Sequence, residues 1–121
     1  MSRRILVVED NEENRRILRL LLTSAGYELM EAVSGEEGVS LAETGRPDLI
    51  LMDIQLPGLD GYEATRRIKS NPALRQIPLI VVTSYALSGD DVKAFEAGCD
   101  AYVTKPFNPR QLLAKIREYI G

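Results

Sequence analysis

The chain has 121 residues, of which 45% are hydrophobic and 27% charged, as expected for one globular domain with its own core. It has no histidine and one cysteine, Cys99, which excludes histidine-dependent catalysis, histidine-ligated metal, an intramolecular disulfide and a cysteine zinc cluster. The net charge of −3 argues against nucleic-acid binding, and no segment approaches the ~20 apolar residues of a membrane span. We therefore expect a cytoplasmic protein whose chemistry depends on carboxylates, hydroxyls and lysines.

The first half of the chain predicts two strand–helix units. The apolar run 5–8 (ILVV) predicts a buried strand, and a helical stripe of Ile17, Leu18, Leu21 and Leu22 follows it and ends at Gly26. The run 27–33 is interrupted by glutamates, which is typical of a strand near a sheet edge. The pair Ser34 and Glu37 forms a capping box that opens the second helix, and Gly45 ends it.

The second half repeats this order three times. The runs 49–52 (LILM), 79–82 (LIVV) and 101–103 predict three further strands. The helices after them begin at Asp60 with Glu63, at Ser88 with Asp91 (ending at Gly98), and at Asn108 with Pro109 and Gln111. The last helix is expected to bury Leu112, Leu113, Ile116 and Ile120.

Five consecutive strand–helix units predict an α/β fold with a parallel sheet that is covered by helices on both faces. Five units are too few for an eight-stranded barrel, so we expect an open, doubly wound, five-stranded sheet. No linker or repeat is visible, and residues 1–121 are interpreted as a single domain. The adjacent arginines at 3–4, 15–16 and 66–67 are interpreted as solvent-exposed charges.

Polar residues follow four of the predicted strands: Glu9, Asp10, Asp53, Thr83, Ser84 and Lys105. In an open parallel sheet the carboxyl ends of the strands share one edge, where ligands bind. Taken singly, each residue has an ordinary alternative, as a helix cap for Asp10, a turn residue for Asp53 or an exposed loop lysine for Lys105. Glu9 could likewise be a solvated charge and Thr83 an ordinary strand residue. Their joint placement favours one site, because clustered acids without a partner repel one another.

Three carboxylates together call for a cation, and oxygen ligands without histidine or thiolate favour magnesium. Magnesium often bridges carboxylates to a phosphate, which Lys105 could pair with and to which Thr83 could donate a hydrogen bond. Aspartate can act as a nucleophile that forms an aspartyl phosphate. We therefore interpret Asp53 as the acceptor of a phosphoryl group, with Glu9 and Asp10 holding the metal.

The segments ILVVEDNEEN, PDLILMDIQLPGLDGYE, IPLIVVTSYA and GCDAYVTKPF occur in this order and cover most of the chain. With them the chain resembles the receiver domain of bacterial two-component response regulators, CheY-like proteins with a flavodoxin-like (βα)5 fold. The resemblance implies the strand order 2-1-3-4-5. The stretches MDIQLP and GCDAYVTKP are similar to those of single-domain cell-cycle receivers.

The resemblance also implies roles for individual residues. Asp53 would accept phosphate from a phosphohistidine of a sensor histidine kinase or a histidine phosphotransfer protein. Mg²⁺ would be bound by Asp10, Asp53 and the backbone carbonyl of Gln55, with Glu9 reaching it directly or through water. The side chains of Gln55 and Tyr85 would tune the lifetime of the phosphate.

Further implied roles concern the phosphoryl group and the switch. Thr83, Lys105 and the backbone of Ser84 would bind the phosphoryl group. Thr83 and Tyr102 would form the switch pair, with Thr83 moving to the phosphoryl group and Tyr102 turning inward behind it. The expected protein is a signalling switch and not an enzyme, although it would assist its own phosphorylation and dephosphorylation.

Because nothing follows Gly121, the sequence predicts a stand-alone receiver, a monomer or weak dimer whose output is protein binding. By resemblance, the surface that changes comprises the fourth helix, fifth strand and fifth helix, with Tyr85, Phe95, Tyr102 and Phe107 as aromatic anchors.

Three other functions fit the sequence less well. A haloacid-dehalogenase-type phosphatase needs Asp-x-Asp after its first strand, whereas this chain has Asp53-Ile-Gln55 after its third. A flavodoxin-like electron carrier needs a phosphate loop rich in Ser, Thr and Gly where this chain is acidic. A degenerate receiver that works without phosphate is disfavoured by the intact set of acceptor, acids, threonine and lysine.

Overall fold

The computed structural model describes residues 3–83 and 90–121. In this part of the chain, strands and helices alternate in the predicted order. The strands are β1 (Arg4–Val8), β2 (Glu28–Ala32), β3 (Leu49–Asp53), β4 (Leu79–Thr83) and β5 (Ala101–Thr104). The helices are α1 (Glu12–Ser24), α2 (Gly35–Gly45), α3 (Gly61–Ser70), α4 (Asp90–Ala97) and α5 (Pro109–Ile120). None of these helices is long and apolar enough to cross a membrane.

The five strands form one parallel sheet in the order β2-β1-β3-β4-β5, which confirms the predicted fold and strand order. From β1, the chain adds β2 on one side of the sheet and then β3, β4 and β5 on the other, so the topological switch point lies between β1 and β3. The carboxyl ends of these two strands are therefore the expected place for a ligand. Strand β2, with its interleaved glutamates, lies at an edge as predicted.

The strand side chains alternate between two hydrophobic cores, one on each face of the sheet. Strand residues such as Leu6, Ile50 and Val81 pack with α2, α3 and α4 on what we call the α2–α4 face. Residues such as Leu51 and Val82 pack with α1 and α5 on the α1/α5 face. Strands β3 and β4 are buried along their full length, because helices cover both faces at the centre of the sheet.

Most of the predicted helix boundaries are confirmed by side-chain capping bonds. Ser34 Oγ accepts from the Glu37 N–H at 3.2 Å, Asp60 Oδ1 from the Glu63 N–H at 2.9 Å, and Asn108 Oδ1 from two N–H groups of α5. The Glu37 carboxylate reaches back to the Val33 N–H at 2.8 Å. The predicted helix start at Ser88 lies outside the described residues, as do Ser84 and Tyr85.

Two details differ from the expectation. The residue with a left-handed backbone after α2 is Arg46 (φ 44°), whereas Gly45 is the last helical residue and its missing side chain leaves room for Met30. In the apolar stripes, Ile17 is 52% exposed, and Leu113 and Ile120 are half-buried. These residues lie at the borders of their stripes, where the neighbouring element covers only part of the helix surface.

Candidate functional site

The carboxyl ends of β1 and β3 bring three acidic side chains together. Glu9 directly follows β1, Asp10 comes next, and Asp53 is the last residue of β3. An oxygen of each carboxylate lies within 4.8 Å of those of the other two. Glu9 and Asp53 are buried, with 2% and 7% exposure, whereas Asp10 is exposed. The predicted juxtaposition of the acids is therefore present, with two of them in the protein interior.

The cap of α1 leaves Asp10 available for this cluster. The side chain of Asn11 caps the helix, and its Oδ1 accepts from the Asn14 N–H at 3.0 Å. The alternative in which Asp10 serves as the cap is therefore wrong. The helix begins one residue later than that alternative required, since Asn11 is itself a favoured cap residue.

Local hydrogen bonds orient the two buried acids. The backbone N–H of Asn11 donates to Glu9 Oε2 at 3.2 Å, and that of Gln55 donates to Asp53 Oδ1 at 3.2 Å. Each acid thus accepts a hydrogen bond from the amide two residues later. The other oxygen of each carboxylate, Glu9 Oε1 or Asp53 Oδ2, is the one that Lys105 contacts.

Lys105 is the cation of the site. Its Nζ lies 2.5 Å from Glu9 Oε1 and 3.5 Å from Asp53 Oδ2, and its side chain is 16% exposed. The alternatives of an exposed loop lysine and a solvated Glu9 are therefore wrong. The Lys105 ammonium contacts two of the three clustered carboxylates.

Burial and a neighbouring acid perturb the pKa of Glu9. Burial is the main reason that its pKa lies above the ordinary value, and neighbouring Asp53 raises it further. Lys105 lowers the pKa but does not outweigh these two effects. A buried, negatively charged pair of this kind is costly without more positive charge, and a bound cation would supply it.

The cluster opens into a cleft of about 280 Å³. It is lined by Glu9, Asp10, Asn11, Asn14, Asp53, Gln55 and Lys105. Each of these side chains carries oxygen or nitrogen, and the oxygens suit a hard cation such as Mg²⁺. Sequence reasoning missed Asn11 and Asn14, although their three-residue spacing at the start of a helix that follows two acids is a usable signal.

Thr83 and Tyr102 lie on the adjacent strands β4 and β5. Thr83 ends β4, is fully buried, and its carbonyl accepts from the Lys105 N–H at 2.7 Å. Tyr102 pairs with Val81 across β4 and β5 and packs against the α2–α4 face. Strand alternation turns the Thr83 side chain to the same face as Val81. The two predicted switch residues therefore share one face of the sheet.

Arg15 is not the solvent-exposed charge that the sequence suggested. Its side chain is 14% exposed, and its Nη1 donates to the carbonyls of Glu9 at 2.9 Å and of Asp10 at 3.0 Å. Adjacent Arg16 does fit the prediction, because its side chain is 67% exposed and pairs only loosely with Glu13 at 3.5 Å. The helix turns one arginine towards the acidic turn and the other towards solvent.

Comparisons with known proteins agree with this geometry. The sequence model of the response regulator receiver domain matches residues 5–117. The polar-differentiation response regulator DivK of Brucella ovis is 42% identical over 121 residues, which are 100% of this chain and 98% of DivK. This relationship agrees with the resemblance to single-domain cell-cycle receivers.

Solved structures give the same result. The receiver domain of a sensor histidine kinase from Pseudomonas aeruginosa, with magnesium coordinated in its active-site cleft, is 40% identical with a TM-score of 0.93, covering 100% of this chain and 99% of that one. A CheY-like receiver domain protein from Methanospirillum hungatei is 36% identical with a TM-score of 0.91, covering 98% and 93%. The chain belongs to the response regulator receiver domain family.

Proposed function

We propose that this receiver is a stand-alone phospho-acceptor switch in which Asp53 takes a phosphoryl group from a phosphohistidine of a sensor kinase or phosphotransfer protein. The observation that carries the proposal is the buried Asp53 carboxylate, with a lysine ammonium on one side and two further acids on the other. The close match in length to DivK supports a single domain, residues 1–121. The protein then acts as a switch that assists its own phosphorylation and dephosphorylation and is not a turnover enzyme.

In the proposed transfer, a carboxylate oxygen of Asp53 forms a bond to phosphorus while the phosphorus–nitrogen bond of the donor breaks. The electron pair of that bond stays on the imidazole nitrogen, and the product is a mixed anhydride on Asp53. The bond from the Gln55 N–H to Asp53 Oδ1 orients the acceptor. The protein contributes position and charge more than proton transfer.

The residues around Asp53 fit Mg²⁺ as the cofactor. Glu9, Asp10, Asp53 and the backbone carbonyl of Gln55 are the proposed ligands, with Glu9 acting directly or through water. When bound, the cation neutralises charge between the carboxylates and the phosphoryl oxygens. The all-oxygen donor set and the raised pKa of Glu9 support this assignment.

We propose roles for the remaining residues of the site and the switch. Lys105, Thr83 and the backbone of Ser84 bind the phosphoryl group, and Thr83 and Tyr102 form the switch. Gln55, at the mouth of the cleft, tunes the phosphate lifetime together with Tyr85. The Lys105–Asp53 distance of 3.5 Å supports the first assignment, and the shared face of Thr83 and Tyr102 supports the second.

The proposed output is a change in the surface of α4, β5 and α5, which binds a downstream protein. On α4, Val92 and Phe95 are 53% and 51% exposed, and Tyr102 and Phe107 are half-buried nearby. Exposed aliphatic and aromatic side chains of this kind suit a protein partner. The proposal includes a cytoplasmic monomer or weak dimer that binds neither nucleic acid nor membrane.

The test is to incubate the protein with a small acyl phosphate and Mg²⁺ and to measure its intact mass. The expected result is a gain of one phosphoryl group that Asp53→Asn abolishes. The matched control is Asp48→Asn, just before the opposite end of β3, where an amide oxygen can still accept from the Arg4 N–H. Absence of any mass gain in the wild type, or a full gain in Asp53→Asn, would reject the proposal.

A further inference from the structure

Arg15 joins three parts of the fold at the turn that carries two acids of the site. It starts from α1, and its Nη1 contacts the carbonyls of Glu9 and Asp10 at 2.9 and 3.0 Å. Its Nε lies 3.5 Å from Glu31 Oε1 on the neighbouring strand β2. A planar guanidinium can make these contacts at once because its donors are fixed in a fork.

Glu31 is itself held in place by Arg19. The Nε and Nη2 of Arg19 donate to the two carboxylate oxygens of Glu31, both at 2.7 Å. This two-point pairing fixes the plane of the carboxylate on which Arg15 rests. Strand pairing of Val7 with Glu31 adds a backbone link to the same region of β1. Glu31 of β2, held by Arg19 of α1, thus keeps the Arg15 side chain in place.

We propose that Arg15 is a positioning residue for cation binding, an inference that rests on the proposed function of the site. By holding both carbonyls, Arg15 fixes the backbone from which the Glu9 and Asp10 side chains leave. Their carboxylates are then presented to Asp53 in one arrangement before a cation arrives. Partners that orient metal ligands from outside commonly affect metal affinity strongly.

Charge and positioning predict opposite effects of removing Arg15. A positive charge near the cluster repels a divalent cation, so its loss by electrostatics alone would tighten Mg²⁺ binding. Loss of the two carbonyl contacts would instead release the turn and weaken binding. The sign of the change therefore separates the two explanations.

The experiment titrates MgCl₂ into the isotope-labelled full chain and follows backbone amide shifts to obtain a dissociation constant. The variants are Arg15→Gln, Arg15→Lys and the matched control Arg16→Gln, which removes the same charge from the next position of α1. Circular dichroism at the same temperature verifies that each variant is folded. We expect about tenfold weaker binding in Arg15→Gln and little change in Arg16→Gln.

Arg15→Lys keeps the charge but lacks the fork, so it is expected to bind Mg²⁺ less tightly than wild type and more tightly than Arg15→Gln. The inference is overturned if folded Arg15→Gln binds as tightly as wild type or more tightly, or if Arg15→Lys matches wild type. Failure of the wild type to bind Mg²⁺ would instead reject the metal site of the proposed function.

Discussion

Two lysines whose side chains are 10% and 16% exposed, Lys69 and Lys105, lie at opposite ends of the sheet and have very different partners. At the carboxyl end, Lys105 faces Glu9 and Asp53; with Asp10 these residues are called the carboxyl-end cluster. At the amino end, Lys69 donates to the carbonyls of Ile77 at 2.7 Å and of Arg75 at 3.1 Å and to Asp100 Oδ2 at 2.7 Å. Lys69, Asp100 and these carbonyls are called the amino-end cluster.

The difference lies in charge balance. In the amino-end cluster one ammonium meets one carboxylate, and Asp100 also accepts from the Leu79 N–H at 2.8 Å. All three N–H bonds of the lysine have acceptors, as a purely structural cluster requires. In the carboxyl-end cluster, one ammonium contacts two of the three carboxylates, so a bound cation or proton would compensate further negative charge. An imbalance of this kind is typical of functional sites.

The largest expected effect concerns the backbone beneath the carboxyl-end cluster. A Cβ at Gly61 would lie 2.1 Å from the Asp53 carbonyl oxygen and 2.6 Å from Ile54 Cα, and neither backbone atom can yield easily. We expect Gly61→Ala to reduce the free energy of unfolding by about 3 kcal/mol or more, measured by urea denaturation. In the control Gly45→Ala, the clash is with the flexible end of Met30, so a smaller loss is expected. Equal losses in the two variants would contradict this explanation.

The next effect compares the lysines directly. Lys69→Met removes the ion-pair partner of Asp100 and the lysine donor of two carbonyls, and we expect it to cost about 2–3 kcal/mol of unfolding free energy. Lys105→Met, in buffer that contains magnesium, is expected to cost about 1 kcal/mol or less, since a cation or a proton on Glu9 can replace the lost charge. Thermal and urea unfolding of both variants provide the measurement. A larger loss in Lys105→Met than in Lys69→Met would show that the two clusters do not differ as described.

A third prediction uses the same substitution at both ends. Asp53→Asn removes one of three like charges, so we expect it to stabilise the magnesium-free protein by about 1 kcal/mol. Asp100→Asn removes the partner of Lys69 and is expected to destabilise the protein by a similar amount. Unfolding free energies in buffer with a chelator test both signs. A stability loss in Asp53→Asn would mean that the carboxyl-end acids are already fully compensated.

The smallest effect concerns acid pH. Hydrogen bonding to Arg19 holds the pKa of Glu31 below its ordinary value, opposite in direction to Glu9. A lowered folded-state pKa stabilises the fold above the unfolded-state pKa, and this contribution is lost as the pH falls through the folded-state value. Glu31→Gln should therefore cost about 0.5 kcal/mol near neutral pH and nothing at strongly acidic pH, because the Arg19 partner is half exposed. Unfolding at both pH values measures this difference, and an equal cost at both would exclude the ionised pair as its cause.

Local patterns in the sequence were sufficient for the order of elements and most of their boundaries. Ser34, Asp60 and Asn108 were recognisable as caps because each bonds within its own first turn. Apolar runs placed the strands, and the polar residues after four of them predicted which side chains lie together at one edge of the sheet. Such features depend on neighbours in the chain, so a single sequence contains them.

Features that depend on distant contacts were not predictable in this way. Arg15 and Arg16 look alike in sequence, and only the position of α1 over the β1 turn distinguishes them. Arg46 adopts φ 44° next to a glycine that packing against Met30 requires to be small. Asp10 and Asn11 are both good caps, and the folded chain selects Asn11.

The alternation of strand side chains has a consequence for how the switch works. By strand alternation, Asp53 shares the α1/α5 face with Leu49 and Leu51 of its own strand. Thr83 shares the opposite face with Val81 of its own strand. The sheet thus separates the side chain of Asp53 from those of Thr83 and Tyr102. The backbone of Thr83 links it to the site, because its carbonyl accepts from the Lys105 N–H. In the proposed mechanism, phosphorylation of Asp53 on one face of the sheet is communicated to the other face through Thr83, the last residue of β4.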